Sequence, residues 1–108
     1  MGRVFVIQGD PRKNMLPAEE YGEIVTIFDA PAQIIPGGLS LSNVCSVLRG
    51  SLKDFDFDED YIMLNGDPLI IGLTTRYLLD KLDRPSNALL KVLKWDRQEK
   101  RYYVVYAY

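Results

Sequence analysis

Tyr61-Ile-Met-Leu-Asn-Gly-Asp-Pro-Leu-Ile-Ile-Gly-Leu-Thr-Thr-Arg-Tyr-Leu-Leu-Asp-Lys-Leu82 has the pattern of a strand followed directly by a helix. It opens with the short apolar run Tyr61 to Leu64, bounded by acids on one side and Asn65-Gly66 on the other. That length predicts a buried strand rather than a helix, placed at the centre of a sheet. Asp67 supplies a helix N-cap, and Pro68 suits the first helical position, where its missing N–H would be unsatisfied in any case. The helix is expected to run to Leu82. Its apolar residues Leu69, Ile70, Ile71, Leu73, Tyr77, Leu78, Leu79 and Leu82 span more than a narrow stripe, which implies burial against the sheet and a second surface. Gly72 inside it costs about 1 kcal/mol relative to Ala, so close backbone packing is expected there.

A second helix precedes this unit. Leu41, Val44, Cys45, Leu48 and Leu52 recur at helical spacing and place their side chains on one stripe. Ser40 or Ser42 caps its first amides, and Arg49 and Lys53 lie near the end where the helix dipole favours cations. Arg3 to Gln8 reads as a strand stopped by Gly9-Asp10-Pro11. Arg12 to Gly22 has no sustained period and reads as a long surface connection. Glu23 to Phe28 is a strand apolar on both faces, hence expected inside the sheet. Ile34-Ile35-Pro36-Gly37-Gly38 is an apolar loop or short extended segment. Downstream, Arg84-Pro85-Ser86-Asn87 breaks the chain before two strands, Leu89 to Trp95 and Arg101 to Tyr108, which form a hairpin across Asp96 to Lys100. The reading is a single α/β domain over residues 1–108, ordered β-β-α-β-α-β-β, with a partly parallel central sheet and an antiparallel C-terminal hairpin.

Composition mostly excludes. The 108 residues are 47% apolar or aromatic and 26% charged, with thirteen basic and fifteen acidic side chains, a net charge of −2, one cysteine and no histidine. Such a chain can build one core without staples, and it lacks the residues for a disulfide framework, a zinc finger or a histidine-based active site. A general base would have to be a carboxylate or lysine, and Cys45 sits on an apolar stripe where packing is its expected role. No enzyme, cofactor or metal site is expected. No apolar run is long enough to span a membrane, and Met-Gly-Arg-Val-Phe-Val is too short and strand-like for a signal peptide, so a cytoplasmic protein is expected.

Candidate functional residues fall in three regions. Asp54, Asp56, Asp58, Glu59 and Asp60 form a dense acidic run with Phe55 and Phe57 interleaved; a calcium loop fails because Glu59 and Asn65 stand where glycine and a carboxylate are required. Such a patch is a solvated loop or a docking surface for a basic partner. The turns before the two helices, Gly37, Gly38 and Ser40 in one and Asn65, Gly66 and Asp67 in the other, would share a sheet edge and offer amides to a small ligand or nucleotide, although Asp67 opposes a phosphate. Gly9-Asp10-Pro11 repeats the Gly66-Asp67-Pro68 pattern as a shared way of leaving a strand. The last hairpin carries Lys91, Lys94, Arg97, Lys100 and Arg101 among Trp95, Tyr102, Tyr103, Tyr106 and Tyr108, a pattern compatible with single-stranded nucleic acid. Its last strand is also apolar on both faces, and Tyr102, Tyr103, Val104, Tyr106 and Tyr108 are expected to pair with a second subunit in a homodimer.

Leu64-Asn65-Gly66-Asp67-Pro68-Leu69-Ile70-Ile71-Gly72, Leu93-Lys94-Trp95-Asp96-Arg97-Gln98 and Arg101-Tyr102-Tyr103, with Pro17-Ala18-Glu19-Glu20-Tyr21-Gly22-Glu23 before them, resemble small uncharacterised proteins encoded by tailed bacteriophages. The resemblance implies a viral origin, and with it the host-cell cytoplasm, and transfers no activity to any residue. Small phage proteins often bind a host or phage macromolecule. The expectation is therefore a noncatalytic protein that self-associates and binds an unidentified host or phage protein.

Overall fold

Strands β1 (Arg3–Gln8), β2 (Glu23–Phe28), β3 (Tyr61–Met63), β4 (Leu90–Asp96) and β5 (Arg101–Ala107) and helices α1 (Leu41–Leu52) and α2 (Pro68–Lys81) follow one another as β-β-α-β-α-β-β. They come from a computed structural model that describes residues 2–9, 16–29, 40–82 and 89–107. The strands form one sheet in the order β2-β1-β3-β4-β5. β1 is parallel to both β2 and β3, β3 is parallel to β4, and β5 returns antiparallel to β4. The short strand β3 lies at the centre, where its apolar run is covered on both faces.

The sheet separates two cores. On one face Phe5, Ile7, Ile62, Leu90 and Val92 meet Val44, Leu48 and Leu52 of α1 and Ile70 and Leu78 of α2. On the other, Val4, Val6, Met63, Leu93 and Tyr102 pack with Ala18. The right-handed crossover rule accounts for this division. The β1 to β2 connection moves one way across the sheet and both helical connections move the other way, so the first must lie on the opposite face.

That first connection corrects one expectation. The segment read as surface loop contains a 3-10 helix, Leu16–Tyr21, with Ala18 fully buried. Six residues wound at three per turn leave no 3.6-residue signature in the sequence. The position of β2 corrects a second, because it lies at an edge of the sheet beside β1. Two apolar faces report cover above and below: Val25, Ile27 and Phe28 pack on the helical side and Ile24 on the other. They carry no information about hydrogen-bonded neighbours on either side. Leu41 departs from its stripe, standing exposed while Val44, Leu48 and Leu52 are buried. Gly72 is exposed, and a Cβ built on it meets nothing within 4 Å, so the expected close packing does not exist.

Capping follows the sequence. The Ser40 hydroxyl accepts from the Asn43 amide at 3.2 Å at the start of α1. The Asp67 carboxylate accepts from the Leu69 amide at 2.8 Å, with Pro68 in the first turn of α2. Thr74, buried in α2, donates its hydroxyl to the Ile70 carbonyl at 2.8 Å. Asp10-Pro11, the Ile34 to Gly38 segment and the Arg84 to Asn87 break lie outside the described residues.

Candidate functional site

The C-terminal ends of β1 to β4 share one rim, as parallel strands require. The chain leaves β1 toward β2 and then crosses back to β3, so the topological switch falls between β1 and β3, where open sheets of this kind take ligands. Gln8, Gly9, Asn65, Gly66 and Asp67 stand there. Asn65 continues the ladder after β3 has ended: its side-chain oxygen accepts from the Gln8 amide at 3.1 Å and its side-chain nitrogen donates to the Gln8 carbonyl at 2.6 Å. Gly66 has φ +102°, and a Cβ there would lie 2.6 Å from the Gln8 side-chain oxygen, so both conformation and space call for glycine. Ser40 and Asp67 cap their helices. The structure thus brings Asn65, Gly66 and Asp67 to the rim expected of them, with Asn65 bonded across to β1 and Asp67 to the first turn of its own helix. Gly37 and Gly38 lie outside the described residues.

The acidic run forms the turn between α1 and β3. Its phenyl rings face inward: Phe55 is buried, its centroid 5.4 Å from that of Phe5 and 5.1 Å from that of Phe57. Asp54, Asp56, Asp58 and Glu59 are exposed. Asp60 differs, being only 2% exposed. One of its oxygens accepts from the Arg3 amide at 2.8 Å, and the other accepts from the Arg3 guanidinium at 3.1 Å and the Asp56 amide at 2.8 Å. Arg3 also donates to the Asp54 carbonyl at 3.0 Å. Lys91, 4.5 Å above the Tyr61 ring, donates to the Asp58 carbonyl at 2.7 Å. Asp60 therefore fastens the turn to β1 and is withdrawn from the surface, leaving four carboxylates outward. Sequence reasoning missed Arg3 and placed Lys91 only in the basic hairpin, because their partners in the acidic turn lie far along the chain and no periodicity links them.

At the far edge, the β4–β5 turn is held by Asp96, whose carboxylate accepts from the Gln98 and Glu99 amides at 2.9 and 3.2 Å. Tyr102 is buried, edge-on to Trp95 at 4.9 Å. Tyr21 donates its hydroxyl to the Tyr102 carbonyl at 3.0 Å and stacks edge-on against Tyr61 at 5.3 Å, tying the 3-10 helix across the sheet. Burial pushes the Tyr102 phenol above its ordinary pKa; burial, followed by the charge of Glu20, does the same for Tyr21. Tyr103, Val105 and Tyr106 are exposed, Val104 is half-buried and Tyr108 lies outside the described residues. Lys94, Arg97, Lys100 and Arg101 are exposed, while Lys91 is half-buried by its contacts.

Among the described residues, five of the eight exposed large apolar side chains, Leu89, Trp95, Tyr103, Val105 and Tyr106, lie on or directly before this hairpin, and none lies on β2. Of the two sheet edges, β5 is the one that carries exposed large apolar side chains. Among the described residues, no group of three His, Cys, Asp or Glu is arranged to hold a metal ion, and no helix is long and apolar enough to cross a membrane. Cys45 is a half-buried free thiol on α1.

No curated protein and no solved structure matches the chain. A family model does, that of the Phage Pam3 gp32-like protein, over residues 2–107. With nearly every residue inside that match, the chain belongs to the Phage Pam3 gp32-like protein family.

Proposed function

We propose that this phage-family protein is a noncatalytic binding protein that self-associates along β5. The observation that carries the reading is the last strand: it ends the sheet, and Tyr103, Val105 and Tyr106 stand exposed along it. A sheet edge of this kind presents main-chain donors and acceptors in a row, and natural proteins cover such edges or blunt them with charge. β5 has one charged residue, Arg101, at its very start. The outward carboxylates of Asp54, Asp56, Asp58 and Glu59 are then the surface for a basic host or phage partner, attracted over a Debye length of about 10 Å at ordinary salt.

Sedimentation velocity on the full chain tests the reading. The protein should sediment as a dimer at micromolar concentration and dissociate on dilution. Val105→Lys, at an exposed position, should shift it to monomer with an unchanged circular dichroism spectrum. A wild-type monomer throughout the micromolar range overturns the proposal.

A further inference from the structure

The register of β5 against β4 sorts its side chains onto two faces. Tyr102, Val104 and Tyr106 lie opposite Trp95, Leu93 and Lys91 on the face of the 3-10 helix, and Arg101, Tyr103, Val105 and Ala107 lie on the helical face. Residues directly opposite one another in a continued sheet point to the same face. Two identical copies joined edge to edge by a two-fold axis normal to the sheet keep like faces on the same side. A residue of β5 can therefore oppose only a residue of matching alternation in the second copy, and the axis must pass through a residue, not between two.

We propose, resting on the reading of β5 as the self-association edge, that two copies pair β5 antiparallel to β5 with the two-fold at Val104, giving one ten-stranded sheet. This register opposes all seven residues of the strand: Val104 meets its own equivalent, Tyr103 meets Val105, Tyr102 meets Tyr106 and Arg101 meets Ala107 of the second copy. Among the described residues of β5, moving the axis to Tyr103 or Val105 leaves five pairs each. The Val104 register also covers the residues that stand exposed. Tyr106, 63% exposed, comes to lie beside the buried Tyr102 of the other copy, and exposed Tyr103 beside exposed Val105. These are the aromatic and aromatic–β-branched pairs that stabilise neighbouring strands. Charge agrees with it, because the two Arg101 side chains sit at opposite ends of the paired segment. The other edge, β2, displays no exposed large apolar residue.

A single-cysteine scan reads the axis directly. In a Cys45→Ala background, Tyr103→Cys, Val104→Cys, Val105→Cys and Tyr106→Cys are oxidised mildly at micromolar concentration and run on a non-reducing gel. Only directly opposed positions approach within the roughly 3.5–4.5 Å Cβ separation of a disulfide. Val104→Cys should cross-link at least tenfold faster than the others. The double variant Tyr103→Cys/Val105→Cys, at exposed positions, reports the same axis by a second route and should cross-link although each single does so slowly. A dimer that cross-links fastest at Tyr103→Cys or Val105→Cys, or at no position, overturns the register and leaves self-association standing. A protein monomeric by sedimentation overturns both.

Discussion

Asp60→Ala removes the acceptor on which the start of β1 and the acidic turn both depend, and its cost can be worked from the bonds it breaks. The carboxylate receives two backbone amides, from Arg3 and Asp56, and one guanidinium nitrogen. Each partly buried amide left without an acceptor costs about 1–1.5 kcal/mol. The Arg3 side chain is 37% exposed, so water screens the ion pair and holds its share below about 1 kcal/mol. The sum is about 3 kcal/mol for Asp60→Ala, with the two amides dominant. Asp60→Asn keeps one oxygen but turns an N–H toward a donor, and should cost about 2 kcal/mol. Arg3→Gln keeps both amide bonds and loses the guanidinium contacts together with its placement 4.8 Å over the Phe5 ring; it should cost about 1 kcal/mol or less. Urea unfolding followed by circular dichroism at pH 7 and one fixed protein concentration measures all three, with unchanged m-values. Because the dominant bonds are to backbone amides, raising salt should leave the Asp60→Ala deficit in place. A loss below about 1 kcal/mol for Asp60→Ala, or an equal loss for Arg3→Gln, would refute the assignment of Asp60 as an amide acceptor first and an ion-pair partner second.

Gly72→Ala should raise stability by about 0.5–1 kcal/mol, since the site is exposed, helical and open where the Cβ would go; a loss in the same urea assay would mean that packing on this face has been misread. Alkali should destabilise the fold through Tyr21 and Tyr102, whose pKa values are raised above 10.0. Below that value both states keep the phenolic protons; above it the unfolded chain releases them first, so stability declines as pH rises. Unfolding free energies between pH 8 and 11 should fall above pH 10 and fall less steeply in Tyr102→Phe, and a flat profile would contradict the shifts.

Local chemistry made much of this architecture legible. Asp67-Pro68 and Ser40 start helices because they satisfy amides within their own turn. The Tyr61 to Leu64 run reads as a central strand because so short an apolar segment needs cover on both faces, and the turn at Asp96 to Lys100 separates two strands too close in sequence to pair any other way. The rim residues Asn65, Gly66 and Asp67 were likewise visible as a turn. What Asn65 does there was not, since its partner Gln8 becomes a neighbour only when β1 and β3 align.

The element order, the α/β class and the apolar character of the last strand follow from residue spacing alone, because each depends on residues a few positions apart. Tertiary structure alone decided that β2 is an edge, that a 3-10 helix covers the second face, that Asp60 turns inward to Arg3 while its neighbours face water, and that Gly72 packs against nothing. Those outcomes depend on which segments become neighbours across the sheet, and a pattern of side-chain types along one strand or helix carries no record of its lateral partners.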